Sequence, residues 1–241
     1  MSSQITPVFK REFLGYFRSP VAYVFLIVFL VASVGLAFFI GGFFRGNQAS
    51  LESFFVFHPW LYLFLIPAAA MRLWAEEKRG GTVELLFTLP LTTRDAVLGK
   101  FFAAWLFLVL GLALTVPMAA TVGWLGDPDW GVIVSGYLGS ALLAGASLAV
   151  CILLSALTKN QVIAFVLGVL ALLVLVFLGW SVFNQLLASF LPVAAVDFIA
   201  NLGFIPHFDA LAKGIIDPRD LAYFGSVIAL ALALNIAALE R

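Results

Sequence analysis

Charge is what this sequence has least of. Only 11% of its 241 residues are Asp, Glu, Lys or Arg, while 63% are hydrophobic. A soluble globular chain carries roughly 25% charged residues, so this one cannot cover a water-facing surface and most of its exterior must face hydrocarbon. Its 13 basic and 13 acidic residues cancel, which leaves no net field to gather nucleic acid. One cysteine and two histidines exclude an internal disulfide and a zinc cluster. Cys151 reads as a small apolar packing residue. His58 and His207 read as interfacial polar residues rather than ligands.

Other absences narrow the chemistry. There is no GxxxxGK[ST] to cradle nucleotide phosphates and no HExxH for an intramembrane metalloprotease. Glu76-Glu77 could open an EExxxR protease pattern, but position 81 is Gly. The centres of the apolar runs hold no Asp, Glu, Lys or Arg, the groups that mark ion-coupled carriers. We therefore expect no catalytic residue, no metal site and no cofactor bound by this chain. No run shows a regular polar face, which disfavours a passive channel.

What is present is long apolar runs. Uncharged stretches cover 19–44, 53–71, 101–126, 130–158, 160–196 and 221–239. A helix needs about 20 residues to cross the hydrocarbon core, and continuous rather than alternating hydrophobicity argues against a barrel. The expected fold is all-α and integral to the membrane, with spans near 21–43, 54–71, 101–125, 132–157, 161–183 and 221–239. The first run, at 26 residues, exceeds the roughly 7–15 of a cleavable signal. With both termini placed in the cytoplasm, ten basic residues lie inside and three outside, the sense required by the positive-inside rule.

Residues 4–20 precede the first span. Val8, Phe9, Phe13, Tyr16 and Phe17 recur at helical spacing among Lys10, Arg11 and Arg18, the pattern of an interfacial amphipathic helix; a plain basic flank is the alternative. Pro20 marks the turn into the span. The cytoplasmic segment 72–100 is punctuated. Gly80-Gly81 breaks the helix continuing from the second span, and Thr82 can cap a short helix with Glu84 in its first turn. Val83, Leu86 and Phe87 share a face of that helix. Pro90 stops it, and Thr92 with Asp95 opens the next helix. Outside, 184–220 has Pro192 and Pro206 at helix starts and Gly203 and Gly214 at helix ends, so the overlong fifth run continues into short helices at the outer leaflet. Small residues form two rows in the fourth span, Gly136, Ser140, Ala144 and Ala141, Gly145, Ala149. They suit close packing either within one subunit or between two.

The run from Glu76, Glu77, Lys78 and Arg79 through Gly81, Thr82, Val83 and Glu84 to Leu86, followed by Leu89-Pro90, resembles the cytoplasmic motif of ABC-2 type transporter permeases. The outer stretch from His207 through Lys213, Gly214 and Asp217 to Arg219 and Tyr223-Phe224 is similar to the same family, in its gliding-motility and copper-processing subgroup. The resemblance runs nearly the whole chain, taken as one transmembrane domain, although Pro218 makes the outer loop stiffer than expected. It implies a half-transporter of the type V exporter fold in the cytoplasmic (inner) membrane of a prokaryote. That half-transporter would pair with a second permease copy or a homologous permease and with two ATP-binding subunits that carry ATP and Mg. It also implies that the coupling helix after Gly81 docks on the ATPase, with Val83, Leu86 and Phe87 as apolar anchors and Glu76, Glu77 and Glu84 facing basic residues; a solvated flank is the alternative. Pro192, Pro206, His207, Gly214, Asp217 and Arg219 would form an outer gate. The implied function is export driven by ATP hydrolysis in the partner. The alternative is a mechanical transducer or anchor that passes ATPase motion to an extracytoplasmic auxiliary protein. Lipid is the remaining partner and nucleic acid is not one.

Overall fold

A computed structural model describes residues 5–43, 50–82 and 91–240. Helices make up 83% of the chain, and the described residues contain no strand. Six helical segments are long and apolar enough to span a membrane: Pro20–Phe39, Glu52–Gly80, Thr93–Leu125, Trp130–Ala156, Gln161–Gly179 and Pro218–Leu239.

The fourth span is the centre of the bundle, because its small residues let neighbours approach. A Cβ on Gly136 would fall 2.4 Å from the Phe55 ring, and one on Gly139 would fall 2.8 Å from Leu211. Gly145 faces Trp105 and Ile228. These small residues thus pack the second, third and sixth spans and, through Gly139, an outer helix onto the fourth, as small-residue interfaces do in lipid. The first span is peripheral and turns Val24, Ile27 and Val31 outward.

Short polar side chains start several helices. Asp129 accepts from the Gly131 and Val132 amides, Asn160 from Val162 and Asp217 from Arg219. Each satisfies amides that the helix itself cannot pair. Pro20 and Pro218 occupy first-turn positions, where a missing N–H costs nothing. The third span, expected as one helix, bends at Leu114-Thr115 ahead of Pro117. Proline offers no amide, and the Thr115 hydroxyl donates to the Leu112 carbonyl at 2.6 Å.

The fifth span ends at Gly179, four residues before the expected boundary. Its end abuts Gly203, where a Cβ would lie 2.3 Å from the Gly179 nitrogen. That contact turns the chain at extended Trp180 into the outer helices Ser181–Ala188, Val193–Ala200 and Phe204–Ala212. The amphipathic helix Ile5–Phe17 lies across the start of the third span, with Val8 seated on Gly99 and the Tyr16 ring stacked on Phe107 at 4.6 Å.

Candidate functional site

The chemistry concentrates at the end of the bundle that carries the amino terminus. Lys100 is 1% exposed and lies in the helix Thr93–Ala113, directly before the uncharged run of the third span. Its ammonium donates to Glu77 at 2.8 Å and to Glu12 at 3.2 Å, and it sits 5.0 Å from the centre of the Trp74 ring. Arg11 adds a 2.6 Å pair with Glu12 and reaches 3.7 Å from Glu77. A buried ammonium is tolerated only when paired, and here the pairing ties the amphipathic helix to the bases of the second and third spans. Burial alone would raise the Glu12 pKa, but Lys100 and Arg11 outweigh it and hold the carboxyl below its ordinary value.

A second clasp joins the second and fourth spans. The Ser155 hydroxyl donates to the Met71 carbonyl at 3.0 Å and accepts from the Trp74 and Ala75 amides at 3.3 and 3.1 Å. Lys78 donates to the Ala156 carbonyl. The helix Arg72–Gly80 then ends at Gly81, whose φ of 68° is left-handed and suits glycine. The Thr82 hydroxyl points back to the Glu77 carbonyl at 3.3 Å, so it closes the helix before it. Val83, Glu84, Leu86 and Phe87 lie outside the described residues. On the far side, the Thr92 hydroxyl accepts from the Asp95 amide at 3.1 Å and donates to its carboxylate at 2.8 Å, opening the helix that carries Lys100.

The residues expected to face an ATPase therefore divide. Glu77 and Lys78 are turned inward to Lys100 and Ala156, while Glu76 and Arg79 are exposed. In the amphipathic helix, Phe9, Phe13 and Phe17 form a continuous aromatic row, with ring contacts of 5.7 and 5.2 Å, and Lys10 points to the exterior. In the sequence Lys100 is one of the ten basic residues on the cytoplasmic side. Its sole signal was a lysine set directly before an apolar run.

At the opposite end, His207 bridges two acceptors, the Asp220 carboxylate at 2.6 Å and the Asn201 carbonyl at 3.0 Å. It stacks on Tyr223 at 3.9 Å, whose hydroxyl donates to the Leu202 carbonyl. The outer helices are thereby strapped to the sixth span. Pro192 caps Val193–Ala200; Pro206 lies within Phe204–Ala212. Gly214 turns with φ 88°, and Asp217 caps the sixth span through the Arg219 amide. Burial, with Glu52 adding to it, holds the nearby Asp209 carboxyl above its ordinary value despite Lys213.

His58 is not interfacial: it is wholly buried, with Nδ1 2.6 Å from the Ser140 hydroxyl. The same hydroxyl lies 2.8 Å from the Gly136 carbonyl, to which it can donate. Among the described residues, no group of His, Cys, Asp and Glu could hold a metal.

A family model described as ABC-2 family transporter protein matches residues 8–179, from the amphipathic helix through the fifth span. The chain belongs to the ABC-2 transporter family. It is a multi-pass membrane permease component of an ABC transporter, partnered by an ATP-binding subunit in which the ATPase activity resides. No curated protein matches the chain.

Proposed function

We propose that this permease works as a dimer, with a second copy or a homologous permease, and carries two ATP-binding subunits on its cytoplasmic side. Both termini face the cytoplasm of a prokaryotic cell, and the protein sits in the inner membrane. ATP and Mg are held by the partner and none by this chain. Segment 76–87 is the docking element. Its apolar residues Val83, Leu86 and Phe87 seat in the ATPase, and Glu76 and Glu84 meet basic residues there. Closure of the ATPases moves the docking element, and the movement reaches the bundle to drive export of a substrate. The gliding-motility and copper-processing subgroup is the group we favour.

One observation carries this reading. The Lys100 cluster and the Ser155 clasp lock the amphipathic helix and the second, third and fourth spans together where segment 72–100 leaves the bundle. A rigid base is what rigid-body transmission requires. The His207 strap across the outer helices favours a second reading, in which the motion is passed to an extracytoplasmic auxiliary protein without cargo.

Leu86→Asp tests the docking, because it puts an unpaired charge into an apolar contact. Glu84→Lys reverses the charge at the same element. Each variant should insert normally yet co-purify with the ATP-binding subunit less than the parent does, while Asp127→Lys on the other side should not. Unchanged assembly and ATP turnover in both variants would place the ATPase grip elsewhere.

A further inference from the structure

His207, on the helix Phe204–Ala212, sets both of its ring nitrogens against oxygens. Nδ1 lies 2.6 Å from the Asp220 carboxyl and Nε2 lies 3.0 Å from the Asn201 backbone carbonyl. A neutral imidazole carries one N–H, and neither a carbonyl nor an ionised carboxylate can donate. Making both bonds therefore takes two protons within the ring and carboxyl pair. They sit as an imidazolium facing a carboxylate, or as a neutral ring that donates from Nε2 and accepts from a protonated Asp220. Remove one proton and one contact becomes lone pair against lone pair. A bond to a charged acceptor is the stronger, so the remaining hydrogen stays on Nδ1 and Asn201 loses its donor.

That loss falls where the outer helices are held least. No residue of Ser181–Ala188 is buried, and Val196 alone is buried in Val193–Ala200. The turn at 201–203 fastens them. There Nε2 holds the Asn201 carbonyl, the Tyr223 hydroxyl donates to the Leu202 carbonyl at 2.7 Å, and Gly203 rests on Gly179. Segments with little buried surface open at low free-energy cost, so one bond weighs heavily there. His207 and Asp220 keep side-chain exposures of 14% and 12%, which lets the proton exchange with water.

The surrounding charges are few. From the sixth span His207 meets Asp220 and Tyr223, and Asp217 and Arg219 stand at the same helix start. Asp197 precedes the turn and accepts, through its backbone carbonyl, from the Asn201 side chain. On its own helix Asp209 lies about 200° round from His207, next to Lys213 and Glu52. The fourth and fifth spans also pack on this helix; Trp130–Ala156 and Gln161–Gly179 contain no charged residue, and their titratable side chains are Tyr137 and Cys151.

We propose that His207 and Asp220 form a proton-dependent latch on the outer helices. The doubly protonated pair fastens the 201–203 turn to the helix Phe204–Ala212 and the sixth span. Loss of one proton releases Asn201 and loosens Ser181–Ala188 and Val193–Ala200. The latch is closed on the acid side and opens as pH rises. On the proposed topology it answers to pH outside the cytoplasmic membrane, although the purified protein shows it whichever way the bundle faces.

The test titrates the full-length protein in detergent, isotope-labelled at its two histidine rings and its aspartate carboxyls. The range runs from about pH 5 to about pH 9, which spans histidine titration. Magnetic resonance should count two protons on the His207–Asp220 pair on the acid side and one on the alkaline side. Hydrogen exchange over residues 193–202, corrected for its intrinsic pH dependence, should rise about tenfold or more across the same transition, the scale of one hydrogen bond to a charged group. Exchange in the fourth span should stay constant. His207→Gln should abolish the transition. Asp220→Asn should move it to lower pH, because the charge that favours the second proton is gone, and Asp209→Asn should leave it in place. A proton count that does not change, exchange that does not follow the count, or a transition that survives His207→Gln would overturn the latch. If His207→Gln fails to fold, an unmoved transition in Asp220→Asn overturns it instead.

Discussion

At the residue scale, Lys100 carries the most consequence. Replacing it with Ala removes the buried cation shared by Glu12 and Glu77 and leaves them only the more exposed Arg11. Breaking a buried pair from one side costs about 3–5 kcal/mol, so Lys100→Ala should lower thermal stability in detergent far more than Lys10→Ala on the exposed face of the same cluster's helix. The cluster also sets an acid limit. Glu12 has a folded-state pKa below its ordinary 4.5. Its contribution is therefore complete above that ordinary value and is lost as pH falls through the depressed one. The stability difference between the parent and Glu12→Gln should be constant near neutrality and shrink as the pH falls below 4.5; a difference that grows on acidification would contradict the pairing. None of this was legible locally. A lysine before an apolar run reads as a solvated flank, and the partner that buries it stands 88 residues away. The same holds for His58, whose environment is fixed by Ser140 on another span.

At the element scale, what the sequence determines alone came through clearly. Apolar length set the six crossings, and short-range chemistry set the Thr92 cap, the Gly81 stop and the Pro20 start. Contacts between elements set the rest. The fifth span stops where Gly179 meets Gly203, and the amphipathic helix rests where Gly99 makes room for Val8. No window of sequence contains both partners of either contact. Position 99 gives an element-scale prediction. A Cβ there would lie 2.7 Å from Val8 Cγ1 and 3.3 Å from the Ile5 carbonyl. Overpacking of this kind costs about 1–3 kcal/mol, and Gly99→Leu should lift the amphipathic helix from the third span. Hydrogen exchange across residues 5–17 should rise while exchange in the fourth span stays as in the parent. Unchanged protection of the helix would mean that it is held by lipid rather than by the third span.

At the scale of the whole molecule, the two ends of the bundle are built differently. The amino-terminal end is tied by charge, through Lys100, Glu12 and Glu77, and by the Ser155 clasp. The opposite end is tied through His207, Asp220 and Tyr223. On the proposed function the amino-terminal end is the one that must be stiff, because the movement of the ATP-binding partner would enter the bundle there. The most direct measurement places spin labels at the exposed positions Lys10 and Arg79 and reads distances in the assembled transporter with and without bound ATP. The account predicts that the Lys10–Arg79 distance within one permease stays fixed, while the Arg79–Arg79 distance between the two permeases changes. A Lys10–Arg79 distance that shifts with nucleotide, while the distance between permeases does not, would contradict a base that moves as one body.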